Sequence, residues 1–334
     1  MCRYAAITLM PPITLGVQVA IGGQVQLATS GQIRLSADTG RHKDAPGGID
    51  ACRVCVGDTS SRMLYNDTRA GAAVAGTVAS ITRATAWQLI DELPLQFDAY
   101  HPQGMARVDS TWWISAVDIA ERRGLVLAVD SSGRVVERIP VGDSLHYHPG
   151  GMDFDGTAFW IACAEYVPYS STAIIRLQPG RAPEHAFGVD DHVGAVARCG
   201  DDGDLVGWSW GSRRFYRWSV DGQLQAARVN PAFFVDHQDC QWLDSGHLLC
   251  GGVAEVGLST GPGWLGGIGL LNVEDLVMER EVPFPIYPSP SGRVGTHNPL
   301  WAEVRDGRLV VHLLPDDGHG TILSYATPLV VRSG

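Results

Sequence analysis

From Trp87 onward, short apolar runs recur about every 8–12 residues, with Asp- and Gly-containing turns between them. Runs of that length and spacing read as strands and predict an all-β architecture. Around His101 four of them are explicit, at 104–108, 111–117, 124–130 and 134–141. Turns at Asp109-Ser110, Glu121–Gly124 and Ser131–Gly133 separate them. The chain before this region reads differently. Segment 13–37 alternates apolar and polar residues around Gly, which suggests short hairpins, and 38–80 is polar, Gly- and Ala-rich and linker-like. The expected division is therefore a leader or linker over 1–80 and one β domain over 81–334.

The strand pattern repeats. Five segments, starting at His101, His148, His192, His237 and His297, share one frame: a His, an apolar strand, an Asp- or Gly-containing turn and a second apolar strand. The spacings are 47, 44, 45 and 60 residues. A period near 45 with four strands per unit is that of a propeller blade. The last repeat has room for only three strands, and 85–97 resembles the outer strand of the first. It is expected to supply the missing strand, closing the ring and removing both sheet edges. The predicted fold is a β-propeller of five four-stranded blades; a sixth blade drawn from 10–60 is the alternative.

This frame places the candidate chemistry. The first strand of each blade lines the central channel, so the five His are expected at one mouth. The loops between second and third strands open on the same side. They offer Asp118, Glu165, Tyr166, Tyr169, Arg213, Arg214, Asp316, Asp317 and His319. An insertion at about 252–266, carrying Trp264, is a candidate lid. Converging imidazoles suit a divalent metal, with His148, His192, His237 and His297 as ligands. Without metal they suit general acid–base work near neutral pH. Asp153, Asp236 and Asp239 flank the His positions as candidate orienting groups. Trp242 and Trp301 are candidates for a wall against a ligand, while Trp112, Trp113, Trp208 and Trp210 read as packing between blades.

Composition narrows the partners. The net charge is −11, which disfavours nucleic acid and anionic membrane. No run of 18 apolar residues exists, and the start at Met1 lacks a signal-peptide pattern. The small-residue stretch Ala70–Ser80 resembles the end of an export signal, which would act only from an internal start. Seven scattered Cys give no disulfide framework, and Cys52-x-x-Cys55 stands without a second pair. The substrate class left is a small molecule.

The segment from His148 to Trp160, His-Pro-Gly-Gly-Met-Asp-Phe-Asp-Gly-Thr-Ala-Phe-Trp, resembles the blade signature of streptogramin-lyase-like and gluconolactonase-like propellers. His101–Met105 is similar to the His-Pro-Gln-Gly-Met blade start of a bacterial and fungal propeller family. The resemblance covers about 70% of the chain and implies the fold more than the reaction. Lyase-like relatives imply a divalent metal with a His at the mouth. Lactonase-like relatives imply calcium on carboxylate and Asn ligands, which His at these places does not match. The expected function is a propeller enzyme, a lyase or hydrolase of a small carbohydrate- or carboxylate-containing substrate. His101, His148, His192, His237, His297, Tyr166 and Arg213 are its candidate catalytic residues, with Mn, Fe, Zn or Ca as candidate metal. A non-catalytic binding propeller and a His-using cyclase or isomerase are the alternatives.

Overall fold

The computed structural model describes residues 68–330, except 201–202, 232–233, 244, 260 and 287–291. The hairpins expected at 13–37, the sixth blade from 10–60 and the Cys52/Cys55 pair lie outside the described residues.

The described residues form antiparallel meanders, each built from short strands joined by turns. The first comprises β1 (Gln88–Pro94), treated below, and then β2 (His101–Val108), β3 (Thr111–Asp118), β4 (Arg123–Val129) and β5 (Val135–Val141), of which the last four pair in order. The next is β6 (His148–Phe154), β7 (Phe159–Ala164), β8 (Thr172–Leu177) and β9 (Glu184–Val189). It is followed by β10 (Val193–Cys199), β11 (Asp204–Ser209), β12 (Arg214–Trp218) and β13 (Leu224–Val229). Then come β14 (Asp236–Trp242), β15 (His247–Leu258), β16 (Gly261–Asn272) and β17 (Val277–Pro283), and finally β18 (Leu300–Arg305), β19 (Arg308–Leu313) and β20 (Thr321–Pro328). The last group lacks an outer strand, and β1 supplies it, from Gln88 opposite Ala326 to Pro94 opposite Thr321. Among the described residues the first strand is thus fastened to the last, which leaves neither sheet edge open there.

Inner strands β2, β6, β10, β14 and β18 each contact the next, and β18 returns to β2, which makes the fold a propeller. β6 and β10 also pair directly in parallel, through Gly151 with Ala195 and Met152 with Val196. Inner and middle strands are nearly all buried, whereas outer strands such as β5 and β13 expose most of their residues. Large rings fill the gaps between meanders: Trp113 packs on Phe159 with centroids 4.8 Å apart, and Trp112 meets Trp301 edge-on at 5.6 Å.

Polar side chains pin the inner strands together along the axis. Asp239 accepts the backbone N–H of Met105 at 2.9 Å and of Met152 at 3.1 Å. Gln241 both donates to and accepts from the backbone of Ala302, and Asp153 accepts the N–H of Trp242. These bonds satisfy backbone groups that the wedge-shaped packing would otherwise strand. Gly151 is needed here, because a Cβ would lie 2.7 Å from Asp239 Oδ1 and 2.6 Å from the Gln238 carbonyl oxygen. So Asp153 and Asp239, expected to orient His, instead tie strand to strand.

Residues 68–80, read as linker, contain helix α1 (Thr68–Ser80). Its Val74 and Val78, with Ile81, bury against Leu243, Leu249, Ile268 and Leu309, and Thr77 Oγ1 accepts the N–H of Val330 at 3.0 Å. Small residues let this helix lie close to the sheet. It is too short to cross a membrane, and none of the described helices is long and apolar enough to do so. Cys240 and Cys250, directly opposed on β14 and β15, form a disulfide; the scattered cysteine spacing concealed this cross-strand pair.

Candidate active site

Four of the five inner strands carry a register slip near their start. The extra residue is Gln103 in β2, Gly194 in β10 and Gln238 in β14, and β6 slips between Pro149 and Met152. Such bulges re-aim the residues beside them. Here the bulge residues Gln103, Gly194 and Gln238 all line a cavity of about 80 Å³. Its wall is made by His101, Gln103, His148, Tyr166, His192, Trp210, Asp236 and Gln238, with Gly194 and His237.

One side of the wall is aromatic. His148 stacks on Tyr166, with centroids 4.2 Å apart and planes inclined by 13°. Trp210 lies 6.0 Å from Tyr166 and 4.6 Å from His192, and His192 lies 5.3 Å from His148. The imidazoles differ in their bonding. His101 donates from Nδ1 to Asp317 Oδ1 at 2.9 Å and accepts from Gln103 Nε2 at 2.8 Å. His192 donates from Nδ1 to the carbonyl of Val167 at 3.0 Å. His148 is buried, and its Nδ1 has no hydrogen-bond partner.

Burial, followed by the nearby imidazoles of His192 and His101, holds His148 well below the ordinary imidazole range. Burial also lowers His192, against the pull of the Val167 carbonyl. Burial pushes Asp236 up to about 6, opposed by His237 and by bonds from Gly211, Gln238 and Ser212. Tyr166 is raised, chiefly by burial and then by Asp317, so its hydroxyl keeps its proton at neutral pH. Asp317 goes the other way: bonds from His101 and Arg293 overcome burial and hold it far below the carboxylate range.

A model of a family of unknown function, DUF6454, matches residues 69–330. The chain belongs to that family. No curated protein matches it. Among solved structures, the DUF6454 chain is similar to the PQQ-bound aldose sugar dehydrogenase of Streptomyces coelicolor, at 14% identity and TM-score 0.43, over 73% of this chain and 98% of that one. It is similar to a luciferin-regenerating enzyme at 12% identity and TM-score 0.42, over 73% and 81%. It is also similar to virginiamycin B lyase of Staphylococcus aureus at 11% identity and TM-score 0.35, over 73% and 100%.

The wall differs from the expected His ring in several places. His101, His148, His192 and Tyr166 line it, as expected. In β14 the ring position belongs to Asp236. His237 touches the cavity, but its Nε2 lies 3.2 Å from Glu281 Oε1 on β17, inside its own meander. His297 is not in the wall. Its ring meets Trp264 edge-on at 5.6 Å, and burial, reinforced by Arg293, lowers it to about 4. Arg213 bonds Asp191 at 3.3 Å and lies over the Tyr169 ring, so it does not reach in as a carboxylate clamp. Arg123 holds Asp118, and Ser171 holds Glu165. His148, His192, His237 and His297 therefore do not make one ligand set. Among the described residues, no three His, Cys, Asp or Glu side chains form a metal-holding group.

The Trp assignments exchange places. Trp301 is fully buried against Trp112 and His312, and Trp242 packs partly buried near Cys240 and Leu248, so neither walls the cavity. Trp210, read as packing, does. It sits at the end of β11, where a short helical turn (Trp210–Ser212) swings it toward the axis. The insertion at 252–266 is the outer half of a long β15–β16 hairpin, paired out to Leu258 opposite Gly261.

Proposed function

We propose that this protein is an enzyme performing acid–base chemistry on a small polar substrate at the channel mouth. His148 serves as base and Tyr166 as proton donor. The five meanders support a ring of five blades, with the reaction at the end where the inner strands begin. One observation carries the reading: His148 is a buried cavity imidazole with an unpartnered Nδ1 and, unlike His237, whose Nδ1 is also unpartnered but whose Nε2 meets Glu281, it has no carboxylate on its ring. A buried polar atom left without a partner costs about 1–3 kcal/mol, and its retention asks for a reason. An imidazole kept neutral by burial has its lone pair free at pH 7, and negative charge developing on the substrate would stabilise the imidazolium it becomes. That proton comes from a carbon beside a carbonyl in a lyase, or from an attacking water in a hydrolase. Tyr166, stacked on His148 and protonated at neutral pH, is placed to give one to the leaving group.

His101 fits a positioning role. Asp317 fixes its tautomer, and Arg293 and Asn298 in turn hold Asp317 at 2.8 Å and 3.1 Å. A substrate recognised through its carboxylate loses support, because Arg213 is engaged by Asp191 and Tyr169. Metal chemistry is not part of the reading, because His101, His192 and His237 are each held by a separate protein group: Asp317, the Val167 carbonyl and Glu281.

The test is a turnover screen over esters, lactones and β-elimination substrates, with His148→Gln as control. Turnover that disappears in the variant while the thermal transition stays put supports the reading. Turnover that persists in His148→Gln, or none in the wild type alongside ligand binding, favours a non-catalytic binding propeller.

A further inference from the structure

We infer that the cavity selects a small organic cation, such as an ammonium head group, held between Asp236 and the aromatic faces of Tyr166 and Trp210. The inference rests on the cavity assigned above and names the class of ligand it takes.

Charge is the first argument. Of the side chains lining the cavity, Asp236 is the one carboxylate, and no Lys or Arg joins it. Arg213 and Arg293 are engaged elsewhere: Arg213 on Asp191 and Arg293 on Asp317. An anion entering here would meet a carboxylate and π faces with no cation to offset them. A cation meets the opposite: a carboxylate and electron-rich rings in the same wall.

Shape is the second argument. Tyr166 and Trp210 are inclined by only 27°, and His148 lies within 23° of Trp210, so three rings share nearly one orientation. With His148 covering one face of Tyr166, these rings make up the aromatic part of the wall, against which the methyl groups or methylenes around an ammonium nitrogen can pack. Gln103 and Gln238 supply amide oxygens for any N–H.

The third argument is that Asp236 itself is under-compensated. It is half-buried, and its hydrogen-bond donors are neutral: Ser212 Oγ at 3.4 Å, the backbone N–H of Gly211 and the Gln238 side chain. Its chain neighbour His237 is turned to Glu281, and no other cation faces it from β10, β14 or the turn after β11. A ligand cation would complete the site that the protein leaves open.

Calorimetric titration with tetramethylammonium, its neutral isostere tert-butanol and acetate tests this. The expected result is that tetramethylammonium binds about tenfold tighter than tert-butanol, as a cation–π contact plus one carboxylate implies, and that acetate does not bind. Asp236→Asn is expected to lower tetramethylammonium to the tert-butanol level and leave tert-butanol unchanged. Should that variant not fold, wild-type affinity for tetramethylammonium must itself fall about tenfold from pH 7.5 to pH 5, as Asp236 takes up a proton while the lowered His148 and His192 stay neutral longer. No detectable tetramethylammonium binding, equal binding of the neutral isostere, or binding of acetate overturns the inference. Turnover is read separately. Cation binding without any turnover removes the enzymatic reading alone, and turnover of neutral or anionic substrates without cation binding removes this inference alone.

Discussion

Asp236 and His237 are adjacent in the chain and both reach the cavity wall, but they are held differently: Asp236 accepts from Ser212, while the His237 ring reaches Glu281 within its own meander. The slip at Gln238 sets this arrangement. Counted from it, Asp236 stands where His101 stands relative to Gln103 and His192 relative to Gly194. The two residues should respond differently to substitution. His237→Ala should cost about 1–3 kcal/mol of stability, through a lost ring and an unpaired Glu281. Ligand affinity at the cavity should change by no more than about twofold. Urea unfolding and ligand titration on the same variant check both; a large affinity loss without destabilisation would place His237 in the site after all.

The axis depends on Asp239. It is fully buried and accepts backbone N–H groups from β2 and β6. Asp239→Ala strands those donors, and unfolding free energy should drop by about 3 kcal/mol or more. A drop below 1 kcal/mol, to about the level of a surface change, would mean that the inner strands hold together without it.

The pH dependence of stability separates two groups of opposite sign. Asp236, near 6, lies above its ordinary value, so its contribution is complete in acid and is lost as the pH rises through 6. His297, near 4, lies below its ordinary value. Its contribution is complete above the ordinary imidazole range and is lost as the pH falls through 4. Relative to wild type, His297→Gln should therefore lose less stability on acidification from pH 7 to pH 4.5, and Asp236→Asn should lose more. Urea titrations at the two pH values check this; equal slopes in all three proteins would contradict it.

Much of this fold was readable before any coordinates. The 44–47-residue His spacings marked the first four inner strands, and the spare strand at 85–97 forecast how β1 meets β20. The mouth position of His101, His148, His192 and Tyr166 followed from the same frame. In β14 matching by residue type selected His237, and both it and its neighbour Asp236 reach the wall. Matching the apolar residue four positions on, Met105, Met152, Val196 and Cys240, would have selected Asp236. Arg213 and His297 were placed correctly along the chain but not in space, because Asp191 and Trp264 capture them and nothing in the spacing announces either contact. Helix α1 was missed because its core-facing residues are small and widely spaced.

Tyr166 separates stacking from proton donation. Tyr166→Phe keeps the ring on His148 and removes only the hydroxyl. On any substrate the screen identifies, kcat should fall about 10²-fold or more with KM little changed, as expected for a lost general acid. A rise in KM with kcat intact would make Tyr166 a binding wall and nothing further.

The most direct measurement is kcat/KM for His148→Gln beside wild type on the best substrate from the screen. The account predicts a loss of about 10³-fold with an unchanged thermal transition, as removal of a general base entails. Wild-type turnover in a folded His148→Gln protein would contradict it.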